Sequence, residues 1–166
     1  MHSFRGLLSA VAASSALALA FAGSACAQAP IPYGEPISLE QAKQVIAAAE
    51  VEAQANNWPV AIAIVDGGGH LVAFHRLDNT QLGSIEVALQ KAKTSALFRR
   101  PTRAFEEALG MGGESAKLLK LPGALPIEGG LPIIHDGKVI GAIGVSGVKS
   151  TEDAQIAKAG LKALEE

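Results

Sequence analysis

The chain has 166 residues, 14 Lys and Arg against 16 Asp and Glu, a formal net charge of −2 and one cysteine. That balance offers no cationic surface for nucleic acid, and a single thiol excludes a disulfide framework and cysteine-ligated zinc. With 49% apolar residues, the chain can bury one ordinary core without covalent staples.

Residues 1–27 read as a secretory signal peptide. Arg5 supplies the positive start, residues 7–22 are apolar apart from Ser9, Ser14 and Ser15, and small Ala25 and Ala27 occupy the −3 and −1 positions of a cleavage site. Cleavage is expected after Ala27, with a second A-x-A site ending at Ala29. Gly23 stands where a lipoprotein signal needs a large aliphatic residue, three before Cys26. Removal of the segment takes Arg5 and the cysteine with it and leaves a net charge of −3. The expected location is therefore the periplasm or outside the cell. No later run reaches the roughly 18 apolar residues of a spanning helix.

Residues 28–37, with three prolines and a glycine, read as an extended leader, and residues 38–166 as one domain. Ser38 and Gln41 make a capping box that opens a helix through residue 57, with Leu39, Ala42, Val45, Ile46 and Ala49 as its apolar stripe. A strand is expected over 60–65, a glycine turn over 67–69 and a second strand over about 70–77. The first of these strands is apolar at successive positions, which suggests helices on both of its faces. A helix over 83–99 ends before Pro101, and a short helix over 102–109 precedes the glycines of 110–113. Three strands follow: a short run near 125–128, then 131–135 and 138–146, the last two joined by Asp136-Gly137, a strong hairpin signal. The closing helix spans about 150–164, capped by Ser150 or Thr151. Antiparallel units separated by helices, with no βαβ rhythm, define an α+β domain with one mixed or antiparallel sheet.

The stretch DGGGHLVAFHRLDN, residues 66–79, holds the densest set of chemically active side chains. Its glycines are accounted for by the chain reversal. Strand alternation puts His70, Val72, Phe74, Arg76 and Asp78 on one face and Leu71, Ala73, His75 and Leu77 on the other. The two histidines then share no ion unless a bulge intervenes, which argues against a site of three or four convergent ligands. One histidine beside an apolar face suits a single axial position of a haem; the plainer alternative is a turn-flanking surface histidine. Arg76 and Asp78 form either a salt bridge or an anion-gripping arginine oriented by the aspartate. Lys91, Lys93, Arg99, Arg100 and Arg103, with no acid among them, form either a solvated helix end or a rim attracting carboxylates. The glycine clusters match neither a phosphate loop nor a dinucleotide fingerprint. Ser146 lacks a nucleophile elbow. Glu128, before Gly129 and Gly130, is either an acid or base or a turn residue.

The segments AIAIVDGGGHLVAFHRLDN, LGSIEVALQKAKTSALFRRPT, IEGGLPIIHDGKVIGAIGVSG and TEDAQIAKAG, in that order over about residues 38–164, resemble the GlcG/HbpS-type family, also called the haem-degrading domain family. The chain is also similar to the C-terminal domain of two-domain cobalamin adenosyltransferases. The resemblance implies a profilin-like fold with a five-stranded antiparallel sheet flanked by helices, and assembly into homo-oligomers, commonly octamers. It places Asp66, Gly69, Arg76, Asp78, Lys91, Glu128, Gly129, Gly130 and Asp153 near a shared pocket. After Gly147 the chain departs from the pattern, with Val148-Lys149 where relatives often carry small residues.

Two functions follow as expectations. The first is an exported, oligomeric protein that binds haem or another tetrapyrrole and assists its degradation or iron release. His70 or His75 would be the iron ligand, Arg76, Lys91 or the later arginines would meet the propionates, and Phe74, Leu77, Leu82 and Leu131 would line the pocket. The second is a cofactor-free enzyme for a small carboxylate or hydroxy-acid. Arg76 would clamp the carboxylate, Asp66, Asp78 or Glu128 would move a proton, and Lys91 would stabilise developing charge.

Overall fold

The computed structural model describes residues 30–165. The expected signal peptide and the first two leader residues lie outside that range. Helix α1 (Leu39–Ala55) is followed by strands β1 (Ala61–Asp66) and β2 (Leu71–Arg76), helices α2 (Ser84–Phe98) and α3 (Arg103–Gly110), and a 3₁₀ stretch, Gly113–Lys120. Strands β3 (Gly130–His135) and β4 (Lys138–Ser146), helix α4 (Ser150–Leu161) and a short 3₁₀ turn complete the chain. Among the described residues no helix is long and apolar enough to cross a membrane.

The strands form one antiparallel sheet in the order β2-β1-β4-β3. This is an α+β fold with a sheet flanked by helices, but with four strands where five are expected. No strand forms at 125–128, because the backbone donors of that segment go to side chains or, for Ile127, back to Leu125 O at 2.9 Å instead of to a ladder. The Leu125 amide donates to Thr94 Oγ1 at 2.8 Å, the Glu128 amide to Glu106 and the Gly130 amide to Thr102 Oγ1 at 2.9 Å. Pro126 has no amide hydrogen to offer.

Helices cover both faces of the central strands, which explains the unbroken apolar run of β1. Ile62 and Ile64 turn toward α1 and α4, where Val45, Ile46, Ile143 and Ile156 complete the larger core. Ala61, Ala63 and Val65 turn toward Ala88, Ala92 and Ala96 of α2. The second layer is built from small residues, so the helix lies almost on the sheet. A Cβ added at Gly144 of β4 would overlap the Ala88 carbonyl oxygen, a close approach that only glycine permits.

The capping box forms as expected: the Gln41 amide donates to Ser38 Oγ at 3.2 Å and the Ser38 amide to Gln41 Oε1 at 3.0 Å. Leu39 is exposed, off the buried stripe. Helix α4 is capped differently from expectation. Glu152 Oε2 accepts the Lys149 amide at 3.1 Å and Asp153 Oδ1 accepts the Val148 amide at 3.2 Å, so neither Ser150 nor Thr151 serves as the cap. The described part of the leader is held against the sheet. The Gly34 amide donates to Val139 O at 2.9 Å and the Val139 amide to Pro32 O at 2.8 Å, beyond the point where β1 has ended.

Candidate functional site

Two clusters use the expected site residues, and they lie apart. The first is buried. Lys91, 1% exposed on α2, donates from Nζ to Asp153 Oδ2 at 2.8 Å and to Val145 O at 3.0 Å. Gly129 closes over the pair: its φ is +124°, and a Cβ there would stand 2.8 Å from Nζ. A Cβ at Gly130 would overlap the Lys91 carbonyl oxygen. Burial pushes the Asp153 carboxyl above its ordinary range, opposed by the Lys91 ammonium and the Val148 amide. Lys91, Asp153, Gly129 and Gly130 are therefore neighbours, and they knit α2, β3, β4 and α4 together. Lys91 is no solvated helix end, and it presents nothing to a ligand's carboxylates.

The second cluster surrounds the β1–β2 turn. Asp66 Oδ1 accepts the Gly68 and His70 amides at 2.8 and 2.9 Å, and Asp66 Oδ2 lies 3.3 Å from His70 Nδ1. Partial burial raises the Asp66 carboxyl, but the His70 and Gly68 amides and the His70 ring outweigh it and hold the carboxyl below its ordinary range. The His70 side chain is 83% exposed. With Nδ1 facing a carboxylate, its Nε2 faces outward. Around the turn stand Leu71, 54% exposed, Leu97, 43% exposed, and Tyr33. Tyr33 packs against Gly67, its hydroxyl lies 3.0 Å from the carbonyl oxygens of both Ala96 and Leu97, and the Arg99 guanidinium sits 5.0 Å from its ring centre. The side chains of Lys93 and Leu97 border Gly69. The lone tyrosine of a proline-rich leader was the signal for this contact, and sequence reading passed over it.

The remaining candidates are spread over the sheet. A register shift at Ile64/Val65 puts Leu71 opposite Val65, so strict alternation along β2 fails at its start. Leu71 shares the α2 face with Phe74 and Arg76, while Val72 packs with Ala73 on the other core. His75 turns to α1, where its Nδ1 meets Glu50 Oε1 at 2.8 Å. Arg76 pairs in register with Ala61, at the far end of β1 from Asp66, about 17 Å along the strand. Arg76 and Asp78 are exposed and make no salt bridge with each other. Asp78 lines an open cleft of about 480 Å3 with Trp58. Glu128 lies beyond the opposite sheet edge, 3.8 Å from Arg103. Among the described residues no three His, Cys, Asp or Glu side chains converge to hold a metal ion.

Residues 37–162 match a family model described as haem degrading protein HbpS-like. Protein GlcG of Escherichia coli strain K12 is 42% identical over 110 residues, covering 66% of this chain and 81% of GlcG. The crystal structure of HbpS superposes with a TM-score of 0.73 at 30% identity, over 79% of this chain and 92% of that one. The crystal structure of a PduOC:haem complex superposes with a TM-score of 0.70 at 27% identity, over 77% and 94%.

Proposed function

The chain belongs to the HbpS-like haem-degrading family, and from that premise we propose that it is an exported, homo-oligomeric protein that binds haem, with His70 as the iron ligand. The proposal includes a profilin-like fold, which the antiparallel sheet flanked by helices supports, and a role in haem degradation or iron release. The observation that carries it is the Asp66–His70 pair. A carboxylate on Nδ1 fixes the ring and leaves Nε2 as the outward lone pair, the arrangement common to metal-bound histidines. Haem needs one such protein ligand, not a convergent cluster, and when bound it would supply a redox-active iron.

The surroundings suit a flat apolar group with acidic edges. Leu71, Leu97 and Tyr33 offer apolar surface next to His70, and Lys93 and Arg99 stand on the same side for carboxylates. His75 also has a carboxylate partner, but it faces Glu50 on α1, away from this surface. The carboxylate-enzyme reading has no comparable support: Arg76 stands at the far end of β1 from Asp66 and on the opposite sheet edge from Glu128, and neighbouring Asp78 makes no salt bridge with it.

Titration of the mature protein with haemin is expected to give a saturable Soret shift, lost in His70→Ala, kept in His75→Ala and weakened in Asp66→Asn. Absence of any shift at micromolar haemin overturns the haem reading. A full shift in His70→Ala overturns the ligand assignment.

A further inference from the structure

The cleft at the opposite end of the β1–β2 hairpin is chemically unlike the His70 surface. Two turns face each other across it. On one side the chain leaves α1 through Asn57, left-handed at φ 55°, and the Trp58 amide donates to Ala53 O at 2.9 Å. On the other side Thr80 Oγ1 donates to Leu77 O at 2.7 Å and Asn79 is left-handed at φ 64°. Each wall is thus held at its own turn by a hydrogen bond to a main-chain carbonyl. The cleft's volume of about 480 Å3 falls in the usual range for small-molecule sites, about 300–1,000 Å3.

The lining combines one broad aromatic surface with several uncommitted polar groups. Trp58 is half-buried, anchored against the larger core beside Leu77, and it is the chain's only tryptophan. Gln54, Asn57, Asp78 and Asn79, all exposed, also line the cleft. None of their polar atoms, nor the indole N–H, is among the side-chain hydrogen bonds of the described residues. Each amide brings a donor pair and an acceptor to one end of a ligand, and Asp78 adds two acceptors. Asp78 is the only charged side chain in the lining. A cleft with one acid and no cation disfavours anionic ligands, haem propionates included. It suits a neutral ligand rich in hydroxyls, with an apolar C–H face to lie on the indole.

We propose that this cleft is a saccharide subsite, in which Trp58 stacks on a sugar ring while the amides of Asn57 and Asn79 and the Asp78 carboxylate engage ring hydroxyls. The site is independent of haem and of His70.

Because Trp58 is the sole tryptophan, its fluorescence reports on the site directly. The mature protein is titrated with glucose, maltose, cellobiose, lactose and N,N′-diacetylchitobiose. At least one is expected to change the emission saturably at millimolar concentration, and to shift the indole N–H resonance in a ¹⁵N-labelled sample. The exposed-site variants Asp78→Ala and Asn79→Gly should each weaken that response at least fivefold without altering the melting temperature or the haemin titration. The proposal is overturned if none of the five sugars gives saturable change up to 50 mM, or if the variants respond like the wild-type protein. It is equally overturned if tetramethylammonium chloride or sodium acetate elicits the response in place of the sugars.

Discussion

At the scale of single residues, the two perturbed aspartates pull stability in opposite directions with pH. Asp153 is held above its ordinary range by burial, so the folded state takes up its proton first as pH falls. Its contribution favours folding at acidic pH and is lost as pH rises through the folded value. Lys91 limits that loss by offering an ammonium 2.8 Å away. Lys91→Met therefore strands a buried carboxylate. Denaturant unfolding at pH 7 should show a loss of about 3–5 kcal/mol, shrinking toward pH 4 as Asp153 becomes neutral. Lys91→Met combined with Asp153→Leu should recover most of the loss, since an apolar replacement of both partners is often close to neutral. A loss that is the same at pH 4 and pH 7 would show that Asp153 is not the group responsible. Asp66 has the reverse sign. Its folded value is lowered by the His70 and Gly68 amides, so its contribution is present above the ordinary aspartate range, near pH 4, and lost as pH falls below it. The stability difference between wild type and Asp66→Asn should accordingly narrow in unfolding curves taken from pH 5 down to pH 2.5.

At the scale of elements, local signals were readable and distant ones were not. Ser38 and Gln41 are three residues apart and satisfy each other's backbone bonds, so the start of α1 was visible in the sequence. Ser38→Ala should cost about 1 kcal/mol in denaturant unfolding, with Ser38→Gly close to neutral; equal losses would point to a packing role instead. The Asp136-Gly137 turn was visible for the same reason, and both residues take the positive φ it demands, 49° and 69°. Periodicity leaves Lys91 either on a solvated helix end or on a rim for carboxylates, and it is neither, because its partner lies 62 positions further along the chain, a pairing that no periodicity encodes and only the family resemblance suggests. The absent fifth strand has a similar cause: residues 125–128 look like a strand, but Thr94, Glu106 and Thr102 capture the neighbouring amides from α2 and its sequel. The candidate site was half legible. The glycine turn and its histidine stood out in the sequence, whereas Tyr33 and Leu97 reached that turn only through the fold of the leader and the end of α2. The register shift that regroups Leu71 with Phe74 was equally invisible, since one extra residue in an edge strand leaves no mark on composition.

At the scale of the whole molecule, ligand binding and folding are linked in a way that separates the proposed haem site from the scaffold. His70 contributes little to the folded state, being largely exposed and bonded only to the aspartate that its own backbone already engages. His70→Ala should leave the ligand-free melting temperature within about 2 °C, because surface substitutions of this kind usually fall within about 0.5 kcal/mol. Haem bound to the native state alone stabilises it by mass action, about 2.7 kcal/mol at a free concentration one hundred times Kd. For a domain of this size that corresponds to a rise of roughly 8–10 °C. The rise should be full in wild type and in His75→Ala, and absent in His70→Ala at the same haemin concentration. Leu71, Leu97 and Tyr33 are partly exposed around the same turn, and the proposed haem binding and the proposed assembly would each raise the melting temperature. Scanning at two protein concentrations divides these effects. A melting temperature that climbs with protein concentration in the absence of haemin reports assembly, and a further climb with haemin that requires His70 reports the iron ligand. A haemin-dependent rise of the same size in His70→Ala would instead assign the stabilisation to contacts with the apolar surface alone.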